Sequence, residues 1–191
     1  VSNIKILNTE ILSNNWYTLK KVTYEILQKG EVLVQNREAY DRGNGATILL
    51  YNKEKQSVIL TRQFRMPTFI NGNASGYLIE ACAGLLDTDN AEDCIRRETE
   101  EETGFKITHV EKIFEAYMSP GSVTEILYFF VAEYTKEMKV TEGGGLEEES
   151  ENIEVLELPF PEALGMIKTG EIMDAKTIML LQYAALNNLL V

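Results

Sequence analysis

Between Arg97 and Phe105 the chain reads R-E-T-E-E-E-T-G-F, ending an amphipathic helix whose inward stripe turns from apolar to acidic. At helical spacing Ala91, Cys94 and Ile95 share one face, and that face continues through Glu98, Glu101 and Glu102. Carboxylates directed where a core points repel one another and lose hydration, which a fold tolerates only with compensating cations. All-oxygen ligation selects hard ions, so the stripe predicts a site for Mg²⁺, with Mn²⁺ as the alternative. The competing reading is a solvated acidic helix whose apolar stripe stops early. At the helix ends, Asp89 and Glu92 spell a capping box, Asn90 is a rival N-cap, and Gly104 stands where a left-handed C-cap belongs.

The remaining composition narrows the chemistry. A net charge of −12 over 191 residues argues against general affinity for nucleic acid or anionic membranes, since both need basic surface. It leaves room for a phosphorylated substrate, because bound divalent ions reverse the field locally. One histidine, His109, and two cysteines, Cys82 and Cys94, give a zinc site or a Ser-His-Asp triad little material. Two cysteines are also too few for a disulfide framework. The opening V-S-N-I-K-I-L-N lacks the features of a secretion signal, and no run approaches about eighteen apolar residues. A cytoplasmic protein without a membrane span is expected.

Along the chain, Trp16–Leu27 and Glu31–Tyr40 read as strands of a hairpin around Gln28-Lys29-Gly30. Asp41-Arg42-Gly43-Asn44-Gly45 is a breaker and the best candidate boundary. Further strands are expected at Ala46–Tyr51, Ser57–Phe64, Tyr77–Ala83, Lys106–Met118, Glu125–Tyr134 and Ile153–Leu158. Helices are expected at Pro161–Lys168 and Asp174–Leu189. This mixture suggests helices layered on both sides of a mixed sheet.

Three further features bear on function. The segment E-G-G-G-L-E-E-E-S-E-N, residues 142–152, joins a flexible glycine triplet to a run of carboxylates; a solvated surface loop is the plain alternative. Arg37 and Arg65, read as lying at strand ends, offer forks that match phosphate oxygens, or pairs for the many acidic residues. Trp16, the only tryptophan, suits stacking on a nucleobase or packing in a partly buried place.

A strand, a glycine turn at Cys82-Ala83-Gly84-Leu85-Leu86, a short loop and the acidic helix together resemble the Nudix box. That motif runs Gly, five residues, Glu, seven residues, then R-E-U-x-E-E-x-G-U with U apolar. Arg97, Glu98, Glu101, Glu102, Gly104 and Phe105 fall in register. Twelve residues separate Gly84 from Arg97, one fewer than the pattern, so its first glutamate becomes Asp89 or is absent. Thr99 replaces an apolar residue. Longer strings, among them Y-D-R-G-N-G-A-T-I-L-L-Y-N, R-Q-F-R, N-G-N-A-S-G-Y-L-I-E, Y-M-S-P-G and E-V-L-E-L-P-F, are similar to the bacterial GDP-mannose pyrophosphatases of the Nudix superfamily.

The resemblance implies an α/β fold: a Nudix α/β/α sandwich with a mixed sheet (residues 44–191), preceded by a small N-terminal antiparallel β subdomain (residues 1–43). It implies hydrolysis of a nucleoside diphosphate sugar, GDP-mannose foremost and ADP-ribose as the alternative, by a homodimer with swapped N-terminal strands. A catalytically silent nucleotide sensor is a further alternative. Implied metal ligands are the Ala83 carbonyl, Glu98, Glu102 and Glu151, with Glu101 completing the cluster. Catalytic roles fall on Glu102, Glu149 and Glu151. Substrate contacts fall on Trp16, Asn36, Arg37, Glu38, Arg65, Ala83, Gly84, Leu85, Glu102, Glu125, Ser150 and Glu151.

Overall fold

The computed structural model describes residues 3–146 and 151–190. Its N-terminal part is an antiparallel meander of β1 (Ile4–Asn14), β2 (Thr18–Gln28) and β3 (Glu31–Asp41). Gln28 pairs with Glu31 across a two-residue loop in which Lys29 (φ 51°) and Gly30 (φ 84°) are both left-handed, the geometry that matches strand twist in a tight hairpin. The sequence pattern reveals β2 and β3 but not β1. The register of β1 on β2 shifts twice, between Ile6 and Asn8 and between Ile11 and Ser13, so its side chains lose the period-two alternation that identifies a strand.

Two compact units divide the chain, Val1–Asn44 with Ala116–Leu127, and Gly45–Glu115 with Tyr128–Val191. The other strands are β4 (Gly45–Asn52), β5 (Ser57–Phe64), β6 (Tyr77–Glu80), β7 (Ala83–Leu85), β8 (Glu111–Tyr117), β9 (Ile126–Glu133) and β10 (Glu154–Pro159). They form a seven-stranded sheet in the order β10-β5-β4-β9-β8, with β6 paired to β5 and β7 to β4. Helices are α1 (Met66–Ile70), α2 (Ala91–Thr103), α3 (Phe160–Thr169) and α4 (Ala175–Leu186).

Alternation along β9 places helices on both faces. Phe130 and Ala132 join the core around Cys94 and Ile95 of α2, together with Ala46, Ile48 and Leu50 of β4. Phe129 instead meets the Phe114 ring at 4.6 Å, and that ring meets Tyr183 of α4 at 6.0 Å. The α/β sandwich read from the sequence is therefore the architecture observed. Among the described residues no helix is long and apolar enough to cross a membrane.

Two strand assignments need correction. Lys106–Met118 is not one strand: only Glu111–Tyr117 is extended, because Lys106 turns aside to bond the Met138 carbonyl at 2.8 Å. Tyr77–Ala83 breaks into β6 and β7 because its backbone changes partner from β5 to β4.

Candidate metal centre

That change of partner builds the centre. β4 and β5 are paired only at Leu50–Asn52 with Ser57–Ile59; beyond this the segment Tyr77–Leu85 lies between them, on β5 and then on β4. The crossing is pinned by polar contacts that satisfy buried backbone groups. The Cys82 carbonyl accepts from the Ile48 N–H and the Thr47 hydroxyl, both at 3.0 Å, and the Ala81 N–H donates to Thr177 Oγ1 at 2.7 Å. Ala83 and Gly84 are thereby fixed opposite α2.

Helix α2 begins as a capped helix, though not by the capping box. Asn90 is the N-cap, its side chain accepting from the Glu92 and Asp93 N–H groups. Asp89 instead reaches Arg97 Nε at 3.5 Å. Gly104, at φ 78°, is the left-handed C-cap as expected. The acidic stripe divides between two environments. Glu102 is 2% exposed and accepts the Ala83 N–H at 3.3 Å. Glu98 lies over Gly84, so close that a Cβ there would meet its carboxylate. Arg97 holds the outer carboxylates, with Nη1 3.0 Å from Glu98 and 2.9 Å from Glu101. Thr99, at the box position usually apolar, is fully buried and satisfies its hydroxyl on the Ile95 carbonyl at 2.5 Å.

The glycine triplet has a role the sequence reading did not assign. It docks on the end of α2, where Gly144 N donates to the Glu102 carbonyl at 2.9 Å and Gly145 N to the Glu101 carbonyl at 3.1 Å. All three glycines have positive φ (71°, 113° and 80°), and a Cβ at Gly143 would sit 2.5 Å from the Glu102 carbonyl oxygen. Helix-end carbonyls are satisfied by a loop backbone that only glycine can follow so closely. The loop then returns through Ile153 N to the Gly144 carbonyl, and the Leu146 N–H donates to Glu151 Oε2 at 3.2 Å.

Burial dominates the electrostatics of this assembly. Burial, reinforced by Glu98 and Glu151, pushes the Glu102 carboxyl up to about 8 despite a hydrogen bond from Cys82. Burial, with the charges of Glu101 and Glu151, pushes Glu98 up to about 7 although Arg97 opposes it. Two buried carboxylates, Glu98 and Glu102, thus stand close to the charge of Glu151, and the donor set suits a hard cation. As the side chains stand, no three such groups among the described residues enclose an ion. The stripe offers oxygen donors of the kind a hard divalent cation takes.

The other sequence-derived residues fall in several places. Arg65 follows β5 directly, and its Nε donates to Glu80 Oε2 at 2.7 Å. Leu85 accepts the Cys94 thiol at 3.2 Å. In the first unit, Arg37 lies inside β3 rather than at a strand end, donating to the Asn36 carbonyl and to Gln35. Asn36 accepts the Thr23 hydroxyl at 2.6 Å, and Glu38 is exposed. Trp16 is 86% exposed in the single chain. Glu125 is buried and paired with Arg42 at 3.4 Å. Glu149 and Ser150 lie outside the described residues. The sequence reading missed Glu80 and Lys176, which meet at 2.5 Å beside Arg65. Their 96-residue separation left no local signal.

Residues 3–40 match the family model described as "GDP-mannose pyrophosphatase NudK N-terminal domain", and residues 41–181 match the NUDIX domain. Curated relatives named GDP-mannose pyrophosphatase, from Enterobacter sp. (strain 638), Shigella flexneri and Escherichia coli O157:H7, are 58%, 57% and 56% identical. Each likeness covers 98% of this chain and 97% of the relative.

Proposed function

Since the chain belongs to the Nudix hydrolase family, we propose that it cleaves the diphosphate of GDP-mannose, yielding GMP and mannose 1-phosphate. The carrying observation is the near-full-length likeness to GDP-mannose pyrophosphatases, with their N-terminal domain also matched. Glu98, Glu102, Glu151 and the Ala83 carbonyl would hold Mg²⁺, Mn²⁺ being an acceptable substitute. Bound there, the cation would supply neutralisation of the diphosphate charge and a lowered pKa for the attacking water. Glu101, tied to Arg97, acts through that pair by keeping the arginine across the acidic face.

Glu151 or Glu149 orients the water and takes its proton as oxygen attacks one phosphorus; the bridging P–O bond breaks and the released phosphate keeps the electron pair. Arg65 offers its guanidinium to phosphate oxygens. Trp16 stacks on the base, and Asn36, Arg37, Glu38, Glu125, Ser150 and the Ala83–Leu85 segment contact the remaining sugar-nucleotide.

We assign the N-terminal β subdomain, residues 1–43, to dimerisation and substrate contact, and residues 44–191 to the hydrolase domain. Ile4, Ile6, Ile11, Val32 and Val34 of its sheet are more than half exposed, an apolar surface that a second copy with exchanged strands would cover. A monomeric mass in solution would remove the dimer. Two buried free thiols suit a reducing cytoplasm.

The deciding experiment compares release of GMP and mannose 1-phosphate from GDP-mannose with hydrolysis of ADP-ribose, in Mg²⁺ and in EDTA. Metal-dependent preference for GDP-mannose is expected. Preference for ADP-ribose would move the specificity to that diphosphate, and no turnover of either would favour a silent nucleotide-binding domain.

A further inference from the structure

Glu80 ends β6 and is 3% exposed. A carboxylate buried this deeply needs both oxygens satisfied, and here two cations do so. Oε2 accepts from Arg65 Nε at 2.7 Å and Oε1 from Lys176 Nζ at 2.5 Å. Lys176 is also 3.1 Å from Asp174 Oδ2. Asp174 caps α4, accepting from the N–H and the hydroxyl of Thr177, whose oxygen in turn accepts the Ala81 N–H. The contacts leave the backbone at Glu80, cross the start of α4 and return at Ala81. The Glu80 carbonyl is held as well, by the Thr61 hydroxyl at 3.2 Å. Two cations and two anions form a neutral, closed frame.

The frame grips Arg65 by one nitrogen only. Its bond to Glu80 runs through Nε, and among the described residues no hydrogen bond or ion pair engages its terminal amino groups. Those two groups are the pair that matches phosphate oxygens bidentately. Arg65 is 40% exposed at its side chain, and Glu102 is among the charges acting on it. A free arginine at such a place would sample many rotamers and lose that freedom on binding.

We propose that Glu80 is a positioning residue for the diphosphate: braced by Lys176, it fixes Arg65 through Nε and leaves the terminal fork for the substrate's phosphate. This rests on the nucleotide-sugar hydrolase reading above. Because a phosphate oxygen is held in the ground state and the transition state alike, the role belongs to KM rather than kcat.

A double-mutant cycle on the full-length enzyme tests it, with Glu80→Gln, which keeps the volume, and Arg65→Lys, which keeps the charge and removes the fork. Each is expected to raise KM for GDP-mannose about tenfold with kcat within about threefold, and the double variant to be no worse than either. Independent, multiplying effects on KM, or an unchanged KM with only a lower melting temperature, would overturn the proposal and leave the hydrolase reading standing. Absent metal-dependent turnover by the unsubstituted enzyme would sink that reading and this proposal with it. Should Glu80→Gln fail to fold, Glu80→Asp, with the same charge on a shorter arm, carries the same cycle.

Discussion

The carboxylate of Glu98 occupies the space that a side chain at Gly84 would need: a Cβ there would lie 2.1 Å from Glu98 Cδ and 2.2 Å from Oε1. The glycine of the turn and the first glutamate of the helix are thus one geometric unit. Gly84→Ala should displace the far end of a flexible side chain and leave the backbone in place. Turnover is expected to fall about tenfold to a hundredfold, with the melting temperature changed by no more than about 3 °C. Unaltered turnover in a folded variant would show that the position of Glu98 does not matter to the reaction.

Glu102→Gln removes the charge of the most buried carboxylate on the stripe and keeps its shape. A loss of at least about a hundredfold in turnover is expected, with little loss of stability. Steady-state rates and a thermal melt check it, and near-normal turnover would sink the proposed site.

The same substitution should change how metal-free stability depends on pH. The Glu102 carboxyl rises from 4.5 to about 8 in the folded chain, so between those values the folded form keeps a proton that the unfolded chain releases. Stability conferred by that proton is complete below about 4.5 and declines as pH rises toward 8. In EDTA, Glu102→Gln should therefore melt higher than the unsubstituted protein at pH 8.5, and no higher at pH 5. A constant difference across that range would contradict it.

Gly143 offers the opposite case to Gly84. A Cβ there would meet backbone, 2.5 Å from the Glu102 oxygen and 2.6 Å from the Thr103 carbon, at φ 71°. Gly143→Ala is expected to cost about 1–3 kcal/mol of stability, and to lower turnover by lifting the Glu151 loop off the helix. Denaturant unfolding measures the first effect; a wild-type midpoint would show that the loop docks without strain.

Much of the centre is readable from local order. The stripe Cys94, Ile95, Glu98, Glu102 follows from helical spacing alone, and Gly104 marks its end. Local order fails where two residues compete for one role. Asp89 and Asn90 both suit an N-cap, and only the fold shows Asp89 taken up by Arg97. It fails again at β1, where bulges remove the alternation, and in the triplet 143–145, whose glycines read as flexibility and prove to be a docked helix terminus.

By itself the sequence determined the acidic helix, its oxygen-rich donor set, the breaker before β4 and the kinship carried by its motifs, because each is written in the periodicity or composition of neighbouring residues. Only the tertiary structure decided that Glu102 is buried while Glu101 goes to Arg97, and that Glu80 joins Arg65 to Lys176. Such partnerships depend on where strands diverge and which helix start arrives beside them. Those are consequences of packing between segments far apart in the chain, and no pattern among neighbours encodes them.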